Sequence, residues 1–264
     1  MKCINKLKAI PLLLLLALSH KLAANELTRE EFMESTVGRY AHYDIVAYDQ
    51  HIDRKTMKTL IITYGFTDLK IENDQLIATE TFCHSEQISN QPFVTKIPDA
   101  MTTNIVPKST PVQITKNNGQ WGFFRPETPT PIGVKLDDWV NEPFPTDPND
   151  PRLSDDDHDG KPGVTIKIKA YWLFPLEIYI ARREIFAYHV SQIPNGNLVG
   201  YVRDRSEQIV IGSSPDFIKI PGSPFIQNKD PRKSPIILIP VSDDYDCKRL
   251  MKERNQLFPK NPRP

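Results

Sequence analysis

The sequence predicts an all-β, mainly antiparallel domain, a barrel or a sandwich, with a short helix at each end. Three observations lead there. Segments with two-residue alternation or β-branched runs recur along most of the chain. No helical pattern alternates with them, so the βαβ rhythm of a parallel sheet is missing. Proline supplies 24 of the 264 residues, close to double the ~5% of an average chain. It is spread in short clusters, and it cannot donate to a sheet ladder, so it punctuates strand ends, edges and loops.

A helix opens the domain. Thr28 and Glu31 have capping-box spacing, Phe32 starts an apolar stripe, and Gly38 ends it. Residues 40–48 alternate, with Tyr43 and Ile45 on one face and His42 and Asp44 on the other. Residues 59–64 form a β-branched strand. Residues 69–71 and 76–82 flank Asn73-Asp74, a hairpin turn. Residues 112–115 and 121–124 flank Asn117-Asn118-Gly119, a stronger hairpin signal, because Asn-Gly tolerates positive φ. Residues 125–151 read mostly as proline-rich loop, with a strand or helical turn at 134–140.

Strand signals then sharpen. Val164, Ile166 and Ile168 alternate with Thr165, Lys167 and Lys169. Residues 178–190 suit one long, bent strand. Residues 198–203 and 208–211 read as a hairpin pair, and 236–239 as a short apolar strand. Ser242 is the expected cap of a C-terminal helix that runs to Leu257. Acidic residues fill its first turn and basic ones follow, which suits the helix dipole. The count is about ten strands, with helices only at the ends.

The first 24 residues read as a cleaved export signal. Lys2, Lys6 and Lys8 precede a short apolar run, and small residues follow. The run falls short of the ~20 residues that span a bilayer. Cleavage fits after Ala24 or after Ser19. Residues 25–264 then form a single β-rich domain, periplasmic or secreted, with no later transmembrane segment. Lys+Arg and Asp+Glu are both 33. This balance gives no basic field for nucleic acid.

Cys3 leaves with the signal. Cys83 and Cys247 remain, and in an oxidising compartment they read as one disulfide. That bond would pin the C-terminal helix to the sheet.

Residues 154–163 read S-D-D-D-H-D-G-K-P-G. Asp155, Asp157 and Asp159 stand at alternate positions before Gly160. Three side-chain oxygens aimed at one point suit a hard cation, and the glycine permits the sharp turn, so calcium is the expected cofactor, in a structural role. The match to an EF-hand stops there: counting Asp155 as position 1, position 12 is Ile166, not glutamate. Further ligands must come from elsewhere, with Asp150 the nearest candidate beside Asp147 and Asn149. The alternative is a solvated acidic loop.

The stretch Thr146-Asp-Pro-Asn-Asp-Pro-Arg152, this aspartate loop and Tyr179-Ile-Ala-Arg-Arg-Glu-Ile-Phe-Ala-Tyr188 resemble a family of uncharacterised exported bacterial proteins. Gly38-Arg39-Tyr40 and His84-Ser85-Glu86-Gln87 add to the likeness. The resemblance implies export and the aspartate loop, and assigns no catalytic residue.

No nucleophile elbow, metalloprotease motif or phosphate loop is present. The leading expectation is therefore a calcium-stabilised binding or structural domain of the bacterial envelope. Its partner would be an apolar small molecule or another envelope protein. Arg182, Arg183 and Glu184 interrupt an apolar strand, either as a salt-bridged bulge or rim or as an anion- or headgroup-binding arginine inside a barrel. Aromatic clusters at 121–124, 171–174 and 179–188 line a core or a ligand cavity. The competing expectation is an exported hydrolase of carbohydrate or lipid, which needs Ser and His, or two carboxylates, brought together in a cleft.

Overall fold

The computed structural model describes residues 27–52, 55–170, 175–216 and 226–264. The expected signal and the aromatic residues 171–174 lie outside them. The strands are β1 (Gly38–Ile52), β2 (Lys55–Glu72), β3 (Gln75–Ser89), β4 (Phe93–Lys96), β5 (Ser109–Pro111) and β6 (Gln113–Asn117). They continue as β7 (Gln120–Ile132), β8 (Val164–Ala170), β9 (Leu176–Gln192), β10 (Leu198–Asp204), β11 (Glu207–Ser214) and β12 (Pro235–Val241). The helices are α1 (Arg29–Thr36), α2 (Asp99–Thr103) and α3 (Cys247–Leu257).

Every strand pairing is antiparallel. The order β10-β12-β1-β2-β3-β4-β8-β9 closes on itself, because β10 also pairs β9. The sheet is therefore a barrel. Strand β9 holds it together: β7 and then β8 run along one of its edges, β10 and then β11 along the other.

Several elements differ from the sequence expectation. Residues 59–64 and 69–71 belong to one continuous strand, β2. The segments at 198–203 and 208–211 do not pair with each other. They lie end to end against β9, joined where Arg205 N donates to Ile185 O and Ile185 N donates to Ser206 Oγ. Strand β7 runs on to Ile132 through Pro129 and Pro131. Those prolines recur at every second residue, so their missing N–H groups fall on one edge of the strand. Residues 134–140 form neither strand nor helix, apart from an isolated bridge between Val134 and Leu153. Asp246, not Ser242, caps α3 by accepting from Arg249 N. The short helix α2 was not foreseen.

Other expectations hold. Thr28 and Glu31 form the capping box of α1. Asn73 and Asp74, and Asn118 and Gly119, take positive φ in their two hairpins. Cys83 and Cys247 form the disulfide.

Alternation along β1 sorts its side chains. Tyr43, Ile45 and Ala47 point outward, into a cluster with Tyr245, Leu250 and Phe258 beneath α3 and the tail. Tyr40, Val46 and Tyr48 point inward. The apolar face of β1 therefore packs outside the barrel, while His42 and Asp44, on the opposite face, are buried at its centre. A second outer cluster holds Val134, Leu136 and Ala181 under the 133–163 segment.

Candidate functional site

The barrel interior has three levels. At one end Leu69, Leu76, Leu198 and Leu238 fill the space, all fully buried, and Met33 of α1 packs onto them. Next comes a layer of buried charge. Beyond it lies a cavity of about 760 Å³, within the range of small-molecule sites.

Each long strand crosses the levels in the same sense. Inward positions of β9 run Val190, Tyr188 and Phe186, then Glu184 and Arg182, then Ile180 and Ile178. Inward positions of β7 run Phe123, Arg125, Thr128, Thr130 and Ile132. Two bulges set the parity. In β3 the register shifts at Cys83, so that Cys83 turns outward to its disulfide and Ser85 returns inward. In β7 residues 126–127 bulge, and Arg125 and Thr128 both face in.

The charged layer is tightly bonded. Arg125 Nη2 donates to Glu80 Oε2 at 2.8 Å and Nη1 donates to Phe186 O at 2.7 Å. The Tyr188 hydroxyl donates to Glu80 Oε1 at 2.9 Å. Burial pushes the Tyr188 phenol well above its usual range, so it remains a donor. The Tyr48 hydroxyl donates to Asp204 Oδ2 at 2.8 Å, while Arg182 Nε donates to Glu184 Oε2 at 2.8 Å. Burial lowers the pKa of Arg182, but Glu184, Tyr48 and Asp204 more than offset this, so it stays charged. His42 Nδ1 lies 2.8 Å from Thr67 Oγ1, and its Nε2 lies 3.0 Å from Asp44 Oδ2. Burial raises the pKa of the Asp44 carboxyl, against the pull of His42.

Arg182 thus stands inside the barrel and is salt-bridged there to Glu184 and Asp204. Arg183 points outward and donates to Glu207 and to Glu142 O.

The cavity wall beyond the layer is mainly apolar. Phe93, Ile97, Met101, Ile168, Ile178 and Val210 contribute, with α2 supplying Met101. The cavity reaches the barrel end where β1 passes to β2, and His51 and Met57 line it there.

Among the described residues, His42, His84 and His189 are not brought together. His84 bonds Asp99 outside the barrel, and His189 lies 3.1 Å from Thr115 Oγ1. His42 has a threonine and an aspartate for partners, but of the three only Asp44 lines the cavity. Ser85 faces the cavity and donates to Thr63.

The aspartate loop sits at the base of the 133–163 segment. Ligand oxygens of Asp155, Asp157 and Asp159 lie within 4.8 Å of one another. Asp150 stands apart from this group. Arg152 holds both of its oxygens, at 2.9 and 2.7 Å, and brings its pKa to about 2. Internal bonds shape the loop: Asp155 accepts from Asp159 N and Gly160 N, Asp157 from Thr165 N, and Asp159 from Thr165 Oγ1. Burial, together with the neighbouring Asp159 and Asp155, raises the Asp157 carboxyl despite the Thr165 N–H. Its Oδ1 is buried and has no partner. Gly133 and Gly163, both at positive φ, abut so closely that a Cβ on Gly133 would stand 2.8 Å from Gly163 Cα.

Asp44, Glu80, Arg125 and Asp204 were not singled out as site residues from the sequence. The available signal was a lone charged residue at an inward position of an otherwise apolar strand. No family model, curated protein or solved structure matches this chain.

Proposed function

We propose that this protein is an exported carrier or sensor that holds an apolar small molecule inside its barrel. The hollow end of the barrel, walled by Phe93, Ile168, Ile178 and Val210, is the observation that supports this reading most. A domain of this size usually fills its interior, since unfilled apolar volume costs stability. A cavity of about 760 Å³ beside a solid core is therefore better explained by an occupant than by imperfect packing. The reading takes residues 1–24 as the export signal, and the Cys83–Cys247 disulfide suits the oxidising compartment beyond it.

Titration with the neutral fluorophore N-phenylnaphthylamine tests the proposal. We expect saturable, one-to-one binding that Val210→Trp abolishes by filling the cavity. Binding that fails to saturate, or that ignores the tryptophan, overturns it.

Calcium belongs to the same proposal in a structural role. The approach of Asp155, Asp157 and Asp159 supports it, because three carboxylates at such spacing repel one another unless a cation or protons intervene. Calorimetric titration with calcium should show one site that Asp157→Asn removes. Heat that is the same in both proteins would leave the loop a solvated turn held by its own hydrogen bonds.

A further inference from the structure

Resting on the ligand-binding reading, we infer that the occupant is a neutral amphiphile whose apolar body ends in a carbonyl-type oxygen that accepts a hydrogen bond from Arg125 Nε. Two independent observations fix this chemistry.

The first is an orphan donor. Arg125 lines the cavity and is only 5% exposed. Its two terminal nitrogens are bonded to Glu80 and Phe186 O, but its Nε is buried with no partner. A buried, unpaired N–H of a charged group is costly, and such groups in folded proteins nearly always have a partner. This N–H is closed off, so a small shift of the Arg125 side chain on binding would bring it to a ligand oxygen in the cavity. The phenyl ring of Phe186 and the phenol of Tyr188 lie under the guanidinium, each centroid 5.9 Å away, and help to hold the fork in place.

The second is the charge balance of the layer. Glu80 pairs with Arg125, Glu184 and Asp204 pair with Arg182, and Asp44 pairs with His42. Leaving the Asp44–His42 pair aside, three carboxylates oppose two guanidiniums. An added anion would enter a region already negative, at low dielectric, where repulsion is strong. So the donor selects an oxygen, and the field selects against a carboxylate. An ester, ketone or amide carbonyl meets both requirements; a free fatty acid meets only the first. A bare alkane meets only the second, and a primary amine would suit the field but leave Nε unpaired.

Displacement of bound N-phenylnaphthylamine by four ligands of one chain length tests this: methyl dodecanoate, dodecanoate at pH 8, dodecylammonium and dodecane. We expect the ester to bind about tenfold tighter than the alkane, the worth of one buried hydrogen bond, and tighter than either ion. Arg125→Lys keeps a cation for Glu80 but lacks the Nε donor, so it should erase the preference for ester over alkane while leaving the alkane in place. Equal binding of ester and alkane by the native protein would mean that water serves Nε, and would overturn the inference. Preference for the carboxylate or the ammonium would overturn it too. In each of those cases the probe still binds, and the carrier reading stands. Failure of the probe itself would remove both.

Discussion

The two ends of the barrel interior are built from the same strands and the same alternation, yet one is solid and the other hollow. At the solid end, leucines of β2, β3, β10 and β12 meet beneath α1. At the hollow end, isoleucines and phenylalanine line a space that their side chains do not fill. Apolar patterning is thus not what distinguishes a core from a binding site. The charged layer between them marks the boundary. Its groups are buried on the core side, and Glu184 keeps 33% of its side-chain surface open on the cavity side.

Breaking the layer should have the largest effect. Glu80→Ala strips Arg125 of its carboxylate and Tyr188 of its acceptor. We expect a loss of about 3–5 kcal/mol in urea denaturation, because an uncompensated buried cation remains. A loss below about 1 kcal/mol would mean that water reaches the layer, and the boundary would not be a dry one.

A matched pair of truncations tests the contrast directly. Leu198→Ala at the solid end should cost about 2–5 kcal/mol, since it leaves a new cavity. Ile178→Ala faces space that is already empty and should cost about 1–2 kcal/mol, the transfer part alone. Equal costs would show that the hollow end is closed up in solution.

The smallest effect concerns pH. A carboxyl whose pKa rises on folding holds its proton more tightly when folded. Asp44, raised by burial, therefore supports the fold most at low pH. That support fades as pH climbs from about 4 through the raised value. The stability of the native protein relative to Asp44→Asn should fall over that range, read from urea midpoints at a series of pH values. Carboxylates held low by arginines, such as Asp150, run the opposite way, but are common to both proteins and cancel. A constant difference would mean that His42 keeps Asp44 ionised throughout.

Local chemistry was legible because it needs few residues. The capping box of Thr28 and Glu31, the Asn-Gly turn, the alternation of Val164, Ile166 and Ile168 and the crowding of three aspartates each depend on neighbours in the chain. Nearness in sequence also suggested Asp150 as a further ligand, and the fold pairs it with Arg152.

Period, turn preference and residue type act over short range, so an antiparallel β domain, its hairpins, its disulfide pair and the place of the aspartate loop are readable in chain order. Tertiary packing closed the sheet, because closure depends on β10 finding β9 rather than β11. It also decided which face of β1 is the inside. Alternation reports two faces, and an apolar face is buried whether a core or a helix covers it. Here α3 covers Tyr43 and Ile45 from outside, and the barrel encloses His42 and Asp44. The charged layer and the cavity follow from that choice, which no local rule can make.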